Sequence, residues 1–329
     1  MNVLVAGGAG YIGSIMAKRL LDDGYRVVVV DSLERGEKDV VDKRADFKKG
    51  NLLNKHFVSE LFSREKFDTV IHFAGYISME ESMKNPGIYF ENNVLGIVNV
   101  LEEMKKQDRN NFIFSSTAGV YGDPIQTPIP EDHPKNPTNP YGESKLMVER
   151  ILSWYQEIHD ISFISLRYFN AAGAALDASA GEHHTPETHI VPNAIFAALE
   201  NGEFTLFGDD YDTPDGTCIR DYIHVVDLVK AHVLALKKLQ VDKGGFYYNV
   251  GTGKGYSNKE IITMVEKVSN TSIRLKMEKR RQGDASTLIA DPTRIKNELG
   301  FIPQYSDLET IVKTAWEWHK KNSDLRFKN

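Results

Sequence analysis

A tyrosine and a lysine stand four residues apart in the segment NPYGESKLMV, at 139–148. Pro140 and the apolar residues that follow predict a helix starting near Tyr141, which would place Tyr141 and Lys145 on one helix face. A free tyrosine has a pKa of about 10, so it acts as a general base near neutral pH only when that pKa is lowered. A neighbouring ammonium group can lower it. The spacing alone is equally compatible with ordinary packing, so the surrounding sequence must decide.

A hydroxyl group is predicted close to this pair. In FSSTAGVYG, the residues Ser115, Ser116 and Thr117 follow a predicted strand, where small polar residues often do no more than cap a turn. At the edge of a sheet, however, Thr117 would lie about where Tyr141 could reach a bound substrate. Tyr141 is also the only tyrosine in the chain that is followed four residues later by a lysine. We therefore predict Thr117, Tyr141 and Lys145 as the catalytic residues.

Glycines near the start of the chain predict a dinucleotide site. Gly7, Gly10 and Gly13 lie between a predicted strand and a predicted helix, where glycine lets the backbone approach a pyrophosphate at the helix N-terminus. Asp31 closes the next strand, and a carboxylate there accepts hydrogen bonds from ribose hydroxyls and repels a 2′-phosphate. This pattern favours NAD over NADP, although Arg35 lies close by and could bind a phosphate.

The elements that must hold these residues alternate along the first half of the chain. Predicted strands cover 2–6, 25–31, 68–74, 111–116 and 161–169, and predicted helices cover 12–23, 56–65, 80–106 and 141–159. Nearly continuous apolar strands separated by helices predict an α/β fold with a doubly wound parallel sheet. Ligands of such sheets bind beyond the carboxyl ends of the strands, which is where the glycines and Thr117 fall.

The pattern of predicted elements changes near residue 170, where the predicted loops become longer and the predicted strands shorter. We predict a dinucleotide-binding domain over 1–169 and a smaller α/β substrate-binding part over 170–329. The segment RDYIHVVDLVKAHVLAL, at 220–236, predicts a helix that returns to the first part.

Composition excludes several classes of partner. The net charge is −6 and no stretch of clustered Lys and Arg occurs, so nucleic acid is not an expected partner. No apolar run reaches membrane-spanning length, and the first residues carry no cationic leader, so no membrane partner and no signal peptide are expected. The single cysteine, Cys218, rules out a disulfide within the chain and favours a reducing compartment. We predict a cytoplasmic protein.

Two adjacent histidines at 183–184 raise the question of a metal site. We see no cluster of carboxylates or cysteines at ligand spacing to support one. The prediction is a solvated loop without a bound metal.

Several motifs together are similar to one known family. They are GGAGYIGS, HFAG, YFENN, FSSTAGVYG, NPYGESK, RYFNAAGA, FGDDYDTPDGTCIRDYIHVVDL and RRQGDASTLIAD. These motifs cover nearly the whole chain and resemble the extended short-chain dehydrogenase/reductases, most closely the UDP-glucose 4-epimerases. The segment around DGTCIRDYIHV is much more specific than the glycine pattern. The resemblance implies a Rossmann-type fold with a tightly held NAD that is not consumed, and epimerisation at C4 of a UDP-hexose through a 4-keto sugar. It also implies a homodimer formed through helices at 80–106 and 141–159.

The resemblance further implies roles for individual residues. Tyr141 would be the base, Thr117 would assist it, and Lys145 would bind the nicotinamide ribose and keep Tyr141 ionised. The cofactor-binding residues that it implies are Gly7, Gly10, Tyr11, Ile12, Gly13, Asp31, Ser32, Asn51, Leu52, Phe73, Ala74, Gly75, Asn92, Ser115, Tyr141, Lys145 and Tyr168. The substrate-binding residues that it implies are Thr117, Tyr141, Asn170, His189, Ile190, Phe207, Arg220, Tyr222, Arg281, Asp284 and Leu288.

Within the substrate set, three residues would meet the diphosphate: Asn170, Arg220 and Arg281. Arginine suits this role because its planar fork binds phosphate oxygens in pairs. Phe207 would lie near the uracil, and Asp284 would accept a hydrogen bond from the uridine ribose.

The chain departs from the family pattern at several positions. Asn51 stands where an Asp often faces adenine, but its amide oxygen can still accept that hydrogen bond. Ile77 stands where some members carry a lysine near the pyrophosphate, so NAD could be held less tightly, and Ile15 replaces a histidine. Leu288 aligns with the residue that limits space for a 2-acetamido group. Leucine is smaller than tyrosine, so UDP-GlcNAc/UDP-GalNAc are alternative substrates. UDP-uronic acids are a further alternative, which would need an additional cation or hydroxyl near C6 of the sugar.

Two rival functions fit the sequence less well. Sugar-nucleotide 4,6-dehydratases place an Asp and a Glu after the catalytic threonine, whereas this chain has Ala118 and Gly119, which cannot transfer a proton. A non-catalytic NAD-sensing protein would keep the glycine turn but lose the tyrosine base. Because Thr117, Tyr141 and Lys145 are all present, the catalytic interpretation is favoured.

Overall fold

The structure is a computed structural model that describes residues 1–107, 110–280 and 285–322. Its strands, in chain order, are β1 (Asn2–Ala6), β2 (Arg26–Asp31), β3 (Asp46–Lys49), β4 (Thr69–His72), β5 (Asn111–Thr117), β6 (Ser162–Tyr168), β7 (Asn170–Ala172), β8 (Glu203–Phe207), β9 (Ile219–Arg220), β10 (Tyr222–His224), β11 (Gly245–Val250), β12 (Tyr256–Ser257), β13 (Arg274–Glu278) and β14 (Thr287–Leu288). Its helices are α1 (Tyr11–Asp22), α2 (Lys55–Arg64), α3 (Met79–Lys84), α4 (Pro86–Phe90), α5 (Gly96–Lys106), α6 (Pro140–His159), α7 (Ile190–Glu200), α8 (Val225–Val241), α9 (Asn258–Ser269), α10 (Thr293–Leu299) and α11 (Leu308–Lys321). None of the helices within these ranges is long and apolar enough to cross a membrane.

A seven-stranded parallel sheet organises the first part of the chain. Its strand order is β11-β6-β5-β4-β1-β2-β3, with β1 pairing in parallel with both β2 and β4. The chain order therefore reverses beside β1, which places the ends of β1, β2 and β4 around one crevice. The predicted doubly wound α/β fold is confirmed.

Both faces of the sheet are covered by helices. Successive side chains of a strand point to opposite faces, so Leu4 and Val5 of β1 enter two different cores. On one side Val5 belongs to a core with Leu20 of α1 and Leu228 of α8. On the other side Leu4 belongs to a core with Leu152 of α6. This double burial explains why the strands are rich in valine and isoleucine rather than alternating with polar residues.

The second part is built mainly from α7, α9 and α11, which share a core that includes Ile195, Ile261 and Ile311. Short strands flank it: β8 pairs with β13, β7 pairs with β10, and β9 lies between β12 and β14. Later segments also contact the large sheet, because α8 packs on it and β11 pairs with β6. The domain division at residue 169 stays a prediction.

The predicted helix over 80–106 is wrong as a single element. It is divided into α3, α4, a π-helical turn over Glu91–Leu95, and α5. The first break falls at Asn85, whose backbone leaves the helical region (φ −132, ψ 65) directly before Pro86. Proline has no backbone N–H and disfavours a helical conformation in the residue that precedes it, so the break follows from the local sequence. The edge strand β3 was missed because its sequence, DFKK, has no apolar run.

Candidate active site

The glycine turn between β1 and α1 forms one wall of the site. Gly7 has a positive φ of 79°, and a Cβ there would lie 2.5 Å from the backbone N of Ala74. A Cβ on Gly13 would collide with the carbonyl oxygen of Gly7. The tight turn therefore requires glycine at both positions. Helix α1 begins after Gly10, which offers no side chain to cap the first N–H groups, and its first turn contains no acidic residue.

Asp31 ends β2 at the next position around the crevice. Its carboxylate accepts hydrogen bonds from the backbone N–H groups of Ala9 (3.0 Å) and Leu33 (2.9 Å), which ties the end of β2 to the glycine turn. Arg35, the residue that could have bound a 2′-phosphate, instead forms two 2.8 Å hydrogen bonds with the carboxylate of Glu81. Because its charge is already paired, Arg35 does not turn this end of the site into a phosphate pocket.

The side-chain amide of Asn51 forms hydrogen bonds with two neighbouring groups. Its side-chain oxygen accepts from the backbone N–H of Leu53 at 2.8 Å, and its amide nitrogen donates to Glu34 at 3.2 Å. A carbonyl oxygen has two lone pairs, so one acceptor site on Asn51 is left for a ligand.

A cavity of about 290 Å³ collects most of the predicted cofactor residues. The predicted residues that line it are Gly7, Gly10, Tyr11, Ile12, Gly13, Asp31, Ser32, Asn51, Leu52, Phe73, Ala74, Gly75, Asn92, Thr117, Tyr141, Tyr168, Asn170 and His189. Ser115 and Lys145 lie behind its wall: the Ser115 hydroxyl is 2.9 Å from that of Tyr168, and the backbone oxygen of Ser115 accepts from Lys145 Nζ at 2.9 Å. Ser115 therefore positions Tyr168 and Lys145 rather than facing the cavity.

The first turn of α6 carries the predicted base. Asn139 caps this helix by accepting from the N–H of Gly142 at 2.9 Å, and Pro140 occupies the first helical position. Gly142 lets the helix approach the turn that follows β5 closely, because a Cβ there would lie 2.6 Å from the carbonyl oxygen of Gly119. This close packing brings Thr117, at the end of β5, beside Tyr141.

Burial sets the electrostatics of this group. Tyr141 is 8% exposed and Lys145 is 3% exposed. Burial raises the pKa of Tyr141, the nearby Tyr168 adds to the increase, and the Thr117 hydroxyl opposes it. Burial also lowers the pKa of Lys145 to about 8. Lys145 Nζ lies 6.0 Å from the centre of the Tyr141 ring, so the two side chains share one environment as predicted from their spacing.

Asn93 is a site residue that sequence reasoning missed. It is 2% exposed, and its side chain accepts from Tyr76 N at 2.8 Å and donates to Tyr76 O at 3.0 Å and to Ser144 Oγ at 3.1 Å. Asn93 thereby ties the loop after β4 to α6. Asn93 belongs to the π-helical turn, and the only feature of the sequence that could have indicated it is the pair of asparagines in YFENN.

The predicted substrate residues are less concentrated. Asn170 lines the cavity and donates to the backbone oxygen of Asp221 at 3.1 Å. Tyr222 is buried in the core of the second part, Ile190 packs against that core, and Leu288 packs against a small core that contains Leu146. Neither these three residues nor Phe207 and Arg220 line the cavity. Arg281 and Asp284 lie outside the described residues.

The RD pair of the long family motif has a structural explanation. Arg220 pairs in register with Leu288 of β14 and with Tyr256 of β12, so three distant segments meet at Arg220. The adjacent Asp221 is fully buried and accepts hydrogen bonds from Thr252, from the N–H of Gly253 at 3.0 Å and from that of Ala290 at 3.2 Å. Asp221 thus fixes the strand that carries Arg220.

The loop that contains the adjacent histidines differs from the sequence prediction. Four of its side chains converge, and their ligand atoms all lie within 4.8 Å of one another: Glu182, His184, Glu187 and His189, which we call the EHEH cluster. His183 points elsewhere, with its Nδ1 2.6 Å from a carboxylate oxygen of Glu37. The expected solvated loop without carboxylate partners is therefore not observed. Because Nδ1 of His189 faces Glu182 and Glu187, only Nε2 of this residue is left for a substrate.

Comparisons with known proteins agree with this architecture. Residues 3–251 match the NAD dependent epimerase/dehydratase family. The UDP-glucose 4-epimerase of Lacticaseibacillus casei is 47% identical over 325 residues, covering 98% of each chain. The crystal structure of UDP-glucose 4-epimerase from Brucella ovis in complex with NAD has a TM-score of 0.93 and 44% identity, covering 96% of this chain and 97% of that one. The enzyme from Bifidobacterium longum, in complex with NAD+ and UDP, has a TM-score of 0.93 and 36% identity, covering 98% and 99%. These findings confirm the resemblance that the motifs indicated, and the chain belongs to the NAD dependent epimerase/dehydratase family.

Proposed function

We propose that the protein interconverts UDP-glucose and UDP-galactose by NAD-dependent epimerisation at C4, through a transient 4-keto sugar. The observation that carries this proposal is that Tyr141 and Thr117 line the same cavity as the glycine turn. The expected isomerase activity and NAD cofactor are supported throughout by the family and by relatives whose structures hold NAD.

The residues around the crevice fit a dinucleotide without a 2′-phosphate. Gly7 and Gly13 allow the backbone to come close to a pyrophosphate, and the uncapped start of α1 offers N–H groups and a partial positive charge. Asp31 suits the adenosine ribose, and Arg35 is paired with Glu81. When bound, NAD supplies reversible hydride chemistry at C4 of the sugar.

The side chains of the protein handle the proton. In this proposal Tyr141 takes the proton of the sugar 4-hydroxyl as C4 is oxidised and returns it as C4 is reduced. Thr117 lies beside Tyr141 and shares the hydrogen bond to that hydroxyl. Lys145, held by the backbone oxygen of Ser115, favours the ionised phenol through its charge.

The nucleotide part of the substrate is proposed to bind along the second part of the chain. Asn170 at the cavity wall and Arg220 of β9 would hold the diphosphate, while Phe207 at the end of β8 would contact the uracil. A firm grip on the nucleotide leaves the hexose free to present either face to the same catalytic groups. The remaining predicted contacts, His189, Ile190, Tyr222 and Leu288, stay proposals, as do Arg281 and Asp284.

Dehydration is disfavoured by the turn after Thr117. Ala118 and Gly119 form this turn, and neither carries a group that could remove a hydroxyl from C6 as water. A dehydratase of this fold would need an acid at that position. The proposed reaction therefore leaves the hexose with its full set of hydroxyls.

The experiment that tests the function supplies UDP-galactose or UDP-GalNAc without added NAD and identifies the products by NMR. Formation of UDP-glucose without loss of water or release of NADH is the expected result. Conversion of UDP-GalNAc alone would redirect the proposal to N-acetylated sugars, and steady NADH release would refute it.

The Tyr141→Phe variant tests the assigned base. Because general-base catalysis contributes roughly a hundredfold to ten-thousandfold, we expect turnover to fall within that range while UDP binding and thermal stability are retained. Tyr155→Phe is the matched control, since Tyr155 lies on the same helix but donates its hydroxyl to Glu102, away from the cavity. Equal activity of the two variants would show that Tyr141 is not the general base.

A homodimer is proposed from exposed apolar side chains on the helices that the family resemblance indicates. They are Met79, Met83, Ile88, Leu95, Trp154 and Ile158, with Trp154 60% and Ile158 63% exposed. Such a group of exposed apolar side chains is typical of an interface. We expect a dimer mass by light scattering and a monomer for Trp154→Glu with Ile158→Glu; a monomeric wild type would contradict the proposal. The buried free thiol of Cys218 is consistent with the proposed cytoplasmic location.

A further inference from the structure

The EHEH cluster places four potential metal ligands in a single eight-residue segment. In Glu182-His183-His184-Thr185-Pro186-Glu187-Thr188-His189, both carboxylates and the Nδ1 atoms of two histidines turn toward one point. The segment leads directly into α7, and His189 is the residue that precedes this helix. Glu182, His184 and His189 line the same cavity as Thr117 and Tyr141, and His189 is the one member of the cluster that is also among the proposed substrate contacts.

The carboxylates of the cluster are buried to an extent that demands compensation. The side chains of Glu182 and Glu187 are only 5% and 6% exposed. Oε2 of Glu187 and Nδ1 of His184 have no hydrogen-bond partner among the described residues. These two atoms face each other at 3.6 Å, beyond hydrogen-bond distance, so a buried carboxylate oxygen and a buried ring nitrogen are both left for a ligand between them.

The ligand atoms of the cluster lie close enough to surround one metal ion. Four ligands about 2.1 Å from a zinc ion lie about 3.4 Å from one another, and the four ligand atoms of the cluster all lie within 4.8 Å of one another. His184 Nδ1 is 3.5 Å from Glu182 Oε1 and 3.6 Å from Glu187 Oε2, which is too long for good hydrogen bonds. His189 Nδ1 is 2.8 Å from Glu182 Oε1 and 3.0 Å from the other oxygen of Glu187, Oε1, so metal binding would require Glu187 to turn one oxygen toward both imidazoles.

The charges of the cluster balance with one divalent cation. Two carboxylates and two neutral imidazoles around such a cation carry no net charge, and the cation uses all four ligand atoms. The histidine side chains are 24% and 41% exposed, which gives the ion a path from solvent.

We propose that Glu182, His184, Glu187 and His189 bind one divalent transition-metal ion, with zinc as the best match to two imidazole nitrogens and two carboxylate oxygens. Four protein ligands would leave no open position, so the site is structural. The ion would lock the loop before α7. The same loop carries His183, which contacts Glu37, and Glu37 is bonded in turn to the glycine turn through Ala9 O at 3.0 Å. The bound ion would thereby hold the edge of the second part against the dinucleotide cavity.

Cobalt binding tests this proposal on the untagged, NAD-containing protein. After dialysis against a chelator, one equivalent of Co²⁺ should give the intense visible absorption of tetrahedral cobalt, and one equivalent of Zn²⁺ should abolish it. His184→Ala with Glu187→Gln should lower the affinity at least about a hundredfold, because even losing a group that supports a ligand costs ten- to a hundredfold. His183→Ala is the matched control, and it should retain the wild-type affinity.

Other outcomes would overturn the proposal. They are no saturable cobalt binding by wild type, weak absorption typical of six-coordinate cobalt, or equal loss of binding in the His183→Ala control. A crystal of the wild-type protein soaked in Zn²⁺ provides a test that does not depend on how any variant folds. Anomalous scattering at the zinc edge should place the ion about 2.0–2.1 Å from both Nδ1 atoms. A peak elsewhere on the chain, or none, would contradict the site.

Discussion

A buried ion pair under the active-site helix allows a quantitative prediction. Arg167 of β6 donates to both carboxylate oxygens of Glu149 on α6, through Nε at 2.9 Å and Nη2 at 2.7 Å. The hydroxyls of Ser116 and Ser165 donate to the same carboxylate at 2.8 and 2.7 Å. The side chains of Arg167 and Glu149 are 3% and 2% exposed. The pair therefore fixes α6, which carries Tyr141, to the two strands beneath it.

The Glu149→Gln substitution keeps the shape of the side chain but removes its charge. It leaves the buried guanidinium of Arg167 without a counter-charge, and breaking a buried ion pair in this way costs about 3–5 kcal/mol. An unfolding entropy of about 2.1 cal/mol/K per residue amounts to about 0.7 kcal/mol/K for the 329 residues, so a decrease in melting temperature of about 4–7 °C is expected when the chain unfolds as one unit. Replacing both Glu149 and Arg167 with apolar residues of similar volume should recover part of this loss, because no unpaired charge remains.

Calorimetry of the NAD-saturated protein measures this effect directly. Glu157→Gln is the control, because Glu157 lies on the same helix with an exposed side chain and should change the melting temperature little. If Glu149→Gln melts as close to wild type as Glu157→Gln does, the ion pair does not hold α6 in place. A double apolar variant that is less stable than Glu149→Gln would also contradict the reasoning.

Two further predictions concern the glycine turn and Lys145. Gly13→Ala should destabilise the protein by about 1–3 kcal/mol and weaken NAD retention, because the new Cβ would collide with Gly7 O. The control is Gly87→Ala in α4, whose new Cβ meets no atom within 4 Å and which should be neutral or slightly stabilising. Thermal unfolding and the content of bound NAD measure both variants, and a Gly13→Ala variant as stable as wild type would refute the close-approach argument. The pKa of Lys145, about 8, lies below the 10.5 of an exposed lysine, so the unfolded chain binds this proton more tightly. Stability is then lost as pH falls through this range, and from pH 8 to 10.5 the free energy of unfolding of NAD-free wild type should rise relative to Lys145→Met by roughly 3 kcal/mol. Denaturant titrations at both pH values test this, and a difference that does not change with pH would show that the Lys145 charge carries no burial cost.

Much of the cofactor site could be predicted because its signals are local. The strand, glycine turn and helix that contain Gly7 and Gly13 are contiguous; Gly7 is favoured by its own positive φ, and Gly13 by its contact with the carbonyl oxygen of Gly7. The start of α6 is equally local, since Asn139 and Pro140 set its first turn. The expected positions of Tyr141 and Lys145 on one helix face follow from helix geometry alone.

Features that depend on contacts between distant segments could not be predicted. Asn93 joins a loop 17 residues before it to a helix 51 residues after it, and nothing in its own sequence neighbourhood specifies those partners. The Glu149–Arg167 pair likewise depends on how α6 lies across β6. The EHEH cluster is different, because all four residues lie within 182–189. The adjacent histidines at 183–184 obscure the two Glu-x-His pairs, at 182/184 and 187/189, that form it.

The environment of Tyr141 links the base to the cofactor. Burial raises the pKa of this phenol, and the hydrogen bond to the Thr117 hydroxyl offsets only part of that increase. The protein alone therefore keeps Tyr141 protonated at neutral pH. Formation of a phenolate needs further positive charge in the cavity, which an oxidised nicotinamide ring provides. A sugar nucleotide that enters a cofactor-free site therefore meets no base and is left unchanged. The same burial that makes Tyr141 a poor base on its own thus confines proton removal to the complex in which the sugar can also be oxidised.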